Sequence, residues 1–151
     1  MQKTSSIILA AAALAAFSLT GCETQIAVPD NHYDTTARWN EGDGTLTLRF
    51  PGKTLKEAFN ASKKGIDQLY GAGHRVGEDR DEPEDPLKKD RVPPSYKIYA
   101  RVTGDILVTI NIYTAQSPKS HDEWTQVVVK YGTWGNTQES QKIAAFISRN
   151  L

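Results

Sequence analysis

From residue 44 onward, apolar and polar positions follow two periods that define the elements. In Thr45-Leu46-Thr47-Leu48-Arg49-Phe50 the alternation puts Leu46, Leu48 and Phe50 on one side, which predicts a half-buried strand ended by Pro51-Gly52. Thr54-Leu55-Lys56-Glu57 has the form of a capping box, with the Thr54 hydroxyl available to the third amide and Glu57 reaching back. Leu55, Ala58, Phe59, Ser62, Ile66, Leu69 and Tyr70 then recur at helical spacing, while Lys56, Lys63, Lys64 and Asp67 face out. This helix is expected to stop near Gly71-Ala72-Gly73, where glycine tolerates a left-handed cap. A brief strand from 74 to about 78 follows.

The last third holds three β-rich runs, 96–102, 106–112 and 124–131. The tight Thr103-Gly104-Asp105 turn joins the first two as a hairpin. Asn136-Thr-Gln-Glu139 opens a final helix whose apolar face is Ile143, Ala144, Phe146, Ile147 and Leu151. Trp134, between two glycines, is expected to plug the junction of the sheet and this helix. Each helix has one stripe to bury and the sheet one apolar side. The predicted fold is therefore α+β: a two-layer, mostly antiparallel sheet of four or five strands with two helices on one face, in the order β-α-β-β-β-β-α.

Outside these elements the pattern weakens. Residues 22–43 show no periodicity and read as a flexible tether, with Trp39 expected to dock on the domain edge. Residues 77–94 carry two opposed charge blocks, four prolines and almost no apolar side chains, too little to offset ordering entropy. They are expected to form an exposed, mobile loop. Residues 44–151 then make a single domain.

Residues 1–21 read as a bacterial export signal. Lys3 supplies the positive start, and the apolar run after it is roughly a dozen residues where a bilayer span needs about 20. Leu19-Thr20-Gly21-Cys22 resembles the lipobox of bacterial lipoproteins, and it contains the single Cys of the chain. That resemblance implies cleavage before Cys22, a diacylglycerol on its sulfur and an acyl group, typically palmitate, on its new amino group. Two or three such chains hold a protein on a membrane, because each buried methylene contributes roughly 0.8 kcal/mol. Glu23 stands where an inner-membrane retention signal usually shows Asp, so the sorting rule points to the periplasmic face of the outer membrane.

A second resemblance lies in the body of the chain. Gly44-Thr-Leu-Thr, the helix and alternating strands after it, and Tyr131-Gly-Thr-Trp-Gly-Asn before Ser140-x-x-Ile-x-x-x-Ile resemble a family of small Gram-negative lipoproteins catalogued as a domain of unknown function. The similarity covers roughly residues 44–151, with 77–94 an insertion. It implies the same fold and location, and supplies no activity.

Composition narrows the chemistry. The 151 residues carry 18 basic and 18 acidic side chains, and nucleic-acid binding through phosphate needs an excess of Lys and Arg, so nucleic acid is not an expected partner. With Lys3 removed, the mature part has one basic residue fewer than acidic. The lipid, not charge, then does the localising. No catalytic residue, cofactor site or metal site is assigned. His32, His74 and His121 lie in separate polar segments, no Gly-x-Ser-x-Gly elbow occurs, and Cys22 is committed to lipid. Glu78, Asp79, Asp81, Glu82, Glu84 and Asp85 offer oxygen ligands, but Pro83 and Pro86 break the calcium-loop frame. Gly52-Lys53-Thr54 lacks the first glycine and spacing of a phosphate loop.

Surface aromatics remain. The sheet face away from the helices is expected to carry Tyr99, Tyr113 and either Trp124 or Tyr131, depending on register. Aromatic side chains there pair across strands, and can also stack on sugars or anchor a protein. The expected role is a non-enzymatic, lipid-anchored module that binds an envelope protein. The alternative is a glycan- or peptidoglycan-binding module using those aromatics, with a hydrolase a distant third.

Overall fold

The computed structural model describes residues 22–29, 36–81 and 93–151. Residues 1–21, 30–35 and 82–92, on which the readings of an export signal, of part of a tether and of the centre of a mobile loop fall, lie outside the described residues. The elements run β1 (Glu23–Ile26), β2 (Thr36–Asn40), β3 (Thr45–Phe50), α1 (Leu55–Tyr70), β4 (Arg75–Asp81), β5 (Ser95–Val102), β6 (Ile106–Gln116), β7 (Glu123–Tyr131) and α2 (Thr137–Arg149). Every strand pairs antiparallel, in the order β1-β2-β3-β7-β6-β5-β4. The fold is α+β as expected, with seven strands among the described residues in place of four or five.

The alternation read from the sequence becomes apolar rows across the sheet. Trp39, Leu46, Val129, Ile110 and Ile98 stand in register on five adjacent strands, and Ala37, Leu48, Val127, Ile112 and Tyr96 form the next row. All except Tyr96 are buried. Helices α1 and α2 cover this face. Thr54 caps α1 with its hydroxyl accepting from the Glu57 amide at 3.2 Å, and Glu57 accepts in return from the Thr54 amide at 2.8 Å. The Asn136 side chain accepts from the Glu139 amide at 3.0 Å and so starts α2. A Cβ built on Gly65 would lie 3.1–3.2 Å from the backbone of Phe146 and Ile147, so the glycine permits close approach.

Two expectations about the ends of the sheet are corrected. The segment 22–43 is not a free tether, because β1 and β2 form one edge of the sheet. Ala37 and Trp39 are the reason. They point inward at 1% and 9% exposure, beside Leu48 and Leu46, and extend both apolar rows by one strand. An aromatic of that size removes about 200 Å2 from water, an upper bound of about 5 kcal/mol toward ordering the strand. At the other edge, β4 runs on to Asp81, three residues beyond the expected strand and into the segment read as loop. Its charged residues find partners there. Glu78 lies 3.5 Å from Lys63 of α1, and the Arg80 guanidinium sits 4.9 Å over the Phe59 ring. Both outer strands thus carry charge at exposed positions, which opposes edge-to-edge pairing with other chains.

Candidate functional site

The sheet face opposite the helices is half-buried and mostly polar. Its central row reads Arg38, Thr47, Val128, Asn111, Lys97 and Asp79 across six strands. Tyr99, Tyr113 and Trp124 lie on this face, because each alternates with a core residue of its strand. Tyr131 does not. It pairs with Val108, shares its side of β7 with Val127 and Val129, and packs on the edge of the core. A Tyr131 contribution to the open face is therefore corrected by register.

The three open-face aromatics do not form one platform. Tyr99 and Tyr113 stand on neighbouring strands, but Tyr99 pairs with Thr109, four residues from Tyr113 along β6. That is about 13 Å at 3.3 Å per residue. Tyr99 donates its hydroxyl to Asp79 at 3.0 Å, and this bond raises its pKa above the ordinary tyrosine value. Tyr113 and Trp124 belong to a separate cluster. The Trp124 indole donates to Gln126 at 3.1 Å, the Gln126 amide donates to the Tyr113 oxygen at 2.6 Å, and the Arg49 guanidinium lies 4.6 Å over the Trp124 ring. The Arg49 Nε is enclosed there with no hydrogen-bond partner among the described residues. Cation–π stacking and two hydrogen bonds through the Gln126 amide make this a stiff polar patch over β3, β7 and β6.

Around the corner, where the 51–54 loop meets the ends of β6 and β7, an open hollow of about 250 Å3 is lined by Lys53, Thr54, Thr114, Glu123, Trp124 and Thr125, among others. Its polar groups are mostly engaged in holding the loop. Thr54 caps α1, the Thr125 hydroxyl donates to the Lys53 carbonyl, and the Lys53 ammonium donates to the Leu151 carbonyl at 3.1 Å. The Gly-Lys-Thr triplet thus works as a helix start.

The other end of the sheet holds the feature that sequence reasoning placed wrongly. The expectation that Trp134, between two glycines, plugs the sheet–helix junction is corrected, because its side chain is 88% exposed. The glycines serve the backbone. Gly135 and Gly44 both have positive φ, and a Cβ on either would overlap the other strand of this contact: Gly135 on the Gly44 carbonyl, Gly44 on the Trp134 carbonyl. Two glycines therefore clasp the turn after β7 to the turn before β3. The clasp holds the Trp134 backbone in place and leaves the indole outside.

Groups suited to acid–base work are scattered. His74 lies in the short 3-10 turn before β4, with its Nδ1 2.7 Å from the Arg101 carbonyl, while His121 lies in the turn between β6 and β7 at the opposite end of the sheet. His32 is outside the described residues. Tyr70 donates to Glu139 at 3.3 Å; burial first, and then the Glu139 charge, push its hydroxyl pKa above the usual tyrosine range. Burial, with Glu139 second, raises Tyr131 in the same direction. Among the described residues no group of three His, Cys, Asp or Glu is placed to hold a metal ion. Cys22 is exposed and directly precedes β1. Among the described residues no helix is long and apolar enough to cross a membrane.

No family model, curated protein or solved structure matches this chain.

Proposed function

We propose that this chain is a lipoprotein of the bacterial envelope, anchored through Cys22 to the periplasmic face of the outer membrane. Its α+β domain acts by binding another envelope component, a protein, without catalysing a reaction. The observation that carries the reading is the lipobox Leu19-Thr20-Gly21-Cys22 at the end of an apolar run, with the only Cys of the chain at its fourth position. The exposure of Cys22 in the structure is consistent with modification of its sulfur. Several features support binding as the task of the domain. The open sheet face presents a stiff cluster built on Arg49, Trp124, Gln126 and Tyr113, and aromatic and Arg side chains of this kind anchor protein partners. The glycan alternative is less well supported, because Tyr99 stands apart from the other two rings and each ring is engaged with its neighbours.

The test is Cys22→Ala. The variant is expected to lose lipid labelling and to retain residues 1–21. Unchanged maturation and unchanged membrane fractionation would overturn the anchor. Photo-crosslinkers at Thr47 and Lys97, on the open face, are expected to trap one envelope protein. Crosslinking to soluble saccharide chains instead would move the reading to the glycan alternative.

A further inference from the structure

Three large apolar side chains are exposed among the described residues: Trp134 at 88%, Val76 at 57% and Leu107 at 38%. They lie toward the same end of the sheet. Trp134 follows β7, and its backbone abuts Gly44 just before β3. Leu107 is the second residue of β6, and its carbonyl accepts from the Gly132 amide at 2.8 Å. Val76 stands at the irregularity that opens β4. One exposed apolar side chain is ordinary, but these gather toward one end of the sheet, and the most exposed is an indole whose backbone is held by the contact with Gly44.

Cys22 lies at this end too. Glu23 pairs with Asn40, and the Asn40 carbonyl accepts from the Gly44 amide at 3.0 Å. Two strand spacings of about 4.8 Å separate β1 from β3, so Cys22 is on the order of 10 Å from the glycine clasp. No spacer intervenes, since β1 begins at the residue after Cys22. Charges at this end are mixed and partly paired, as Arg38 with Glu23 at 3.4 Å and Arg101 with Asp105 at 3.0 Å. The rim therefore has no strong electrostatic preference for an anionic surface.

Resting on the anchor reading above, we propose that this end of the domain sits directly on the bilayer that holds the Cys22 lipid. Trp134 seats in the headgroup boundary, where an amphipathic ring is most stable, with Leu107 at the same end of the sheet. Lipid and indole are two contacts held by one rigid sheet, so the domain stands upright instead of swinging on a leash. Trp124 lies seven residues back along β7 from Tyr131, about 23 Å from the membrane end. The open-face cluster that includes it is then carried away from the membrane, where a partner can reach it.

The experiment uses the lipidated protein extracted from membranes and reconstituted into phosphatidylcholine vesicles with brominated acyl chains, which quench only tryptophan at the bilayer. The chain has three Trp. Quenching of about a third of the emission is expected, abolished in Trp134→Phe and retained in Trp124→Phe. Intact mass and co-sedimentation of the same samples report on the anchor. Acylated, vesicle-bound protein whose quenching is the same with and without Trp134 would overturn the seating and leave the anchor intact. Protein with a bare Cys22 that stays in solution would overturn both.

Discussion

Replacing Gly135 with Ala tests the glycine clasp, and Gly52→Ala supplies the control. Both positions have φ near +80°, at +80° and +74° respectively. Each therefore costs a side-chain-bearing residue about 1–2 kcal/mol for the left-handed conformation. Both variants also lose the same unfolded-state freedom, so that contribution cancels in the comparison. They differ in what the new methyl meets. At Gly52 nothing lies within 4 Å, whereas at Gly135 the methyl overlaps the Gly44 carbonyl and backbone. Forced overpacking of this kind costs about 1–3 kcal/mol, so Gly135→Ala should be less stable than Gly52→Ala by that amount. At roughly 4 °C per kcal/mol for a chain of this size, the gap in thermal midpoint is about 4–12 °C. Thermal unfolding followed by circular dichroism on both variants measures it directly. Equal midpoints would refute the clasp, and with it the account of why Trp134 is flanked by glycine.

Other outcomes follow from the same geometry. Trp134→Ala should change the unfolding free energy measured in urea by less than about 0.5 kcal/mol, as for other exposed positions, while Leu48→Ala, fully buried in the middle of the sheet, should cost about 2–5 kcal/mol. Thr54→Ala should cost about 1 kcal/mol by removing the cap of α1. Hydrogen bonds from the Thr54 amide and hydroxyl hold the Glu57 carboxyl below its ordinary 4.5. Its contribution is therefore present above pH 4.5 and lost as pH falls through the depressed value; an NMR titration should show Glu57 returning toward 4.5 in Thr54→Ala. Tyr70 has the opposite sign. Its pKa is raised by burial and by Glu139, so its contribution is complete below pH 10 and declines as the unfolded chain ionises above it. Chemical unfolding between pH 9 and 12 should show a shallower alkaline decline for Tyr70→Phe than for the parent.

Strands β3, β5, β6 and β7 and both helices are legible in the sequence because each repeats its apolar period for several residues and opens or closes on a cap or turn. Thr54 and Asn136 mark their helices by chemistry that acts within one turn. The edge strands are hidden for the opposite reason. In β2 Ala37 and Trp39 point inward, and β1 offers only Ile26 to the core, so neither run is long enough to show a period. What orders β2 is contact with Leu46 and Leu48, and β1 pairs in turn with β2, partners that local reading does not include. Tyr131 differs, since its parity with Val127 and Val129 already assigns it to the core side. Trp134 fails for a more general reason. Transfer energy favours burial of an indole, but Gly135 responds to a backbone contact with Gly44, a partner some 90 residues away in the chain, and Gly132 takes a positive-φ turn beside Ile106. The open-face cluster is legible only in part. Sequence alternation puts Tyr113 and Trp124 on one side, whereas the stacking of Arg49 on Trp124 depends on the β3–β7 register.

The central claim is that Cys22 is capped by lipid, and the mass of the N-terminal peptide of protein extracted from membranes tests it most directly. A peptide that begins at Cys22 and carries a diacylglyceryl group on sulfur, with an acyl chain on the amine, is the predicted result. A peptide with an unmodified Cys22 thiol, recovered from the soluble fraction, would contradict the account.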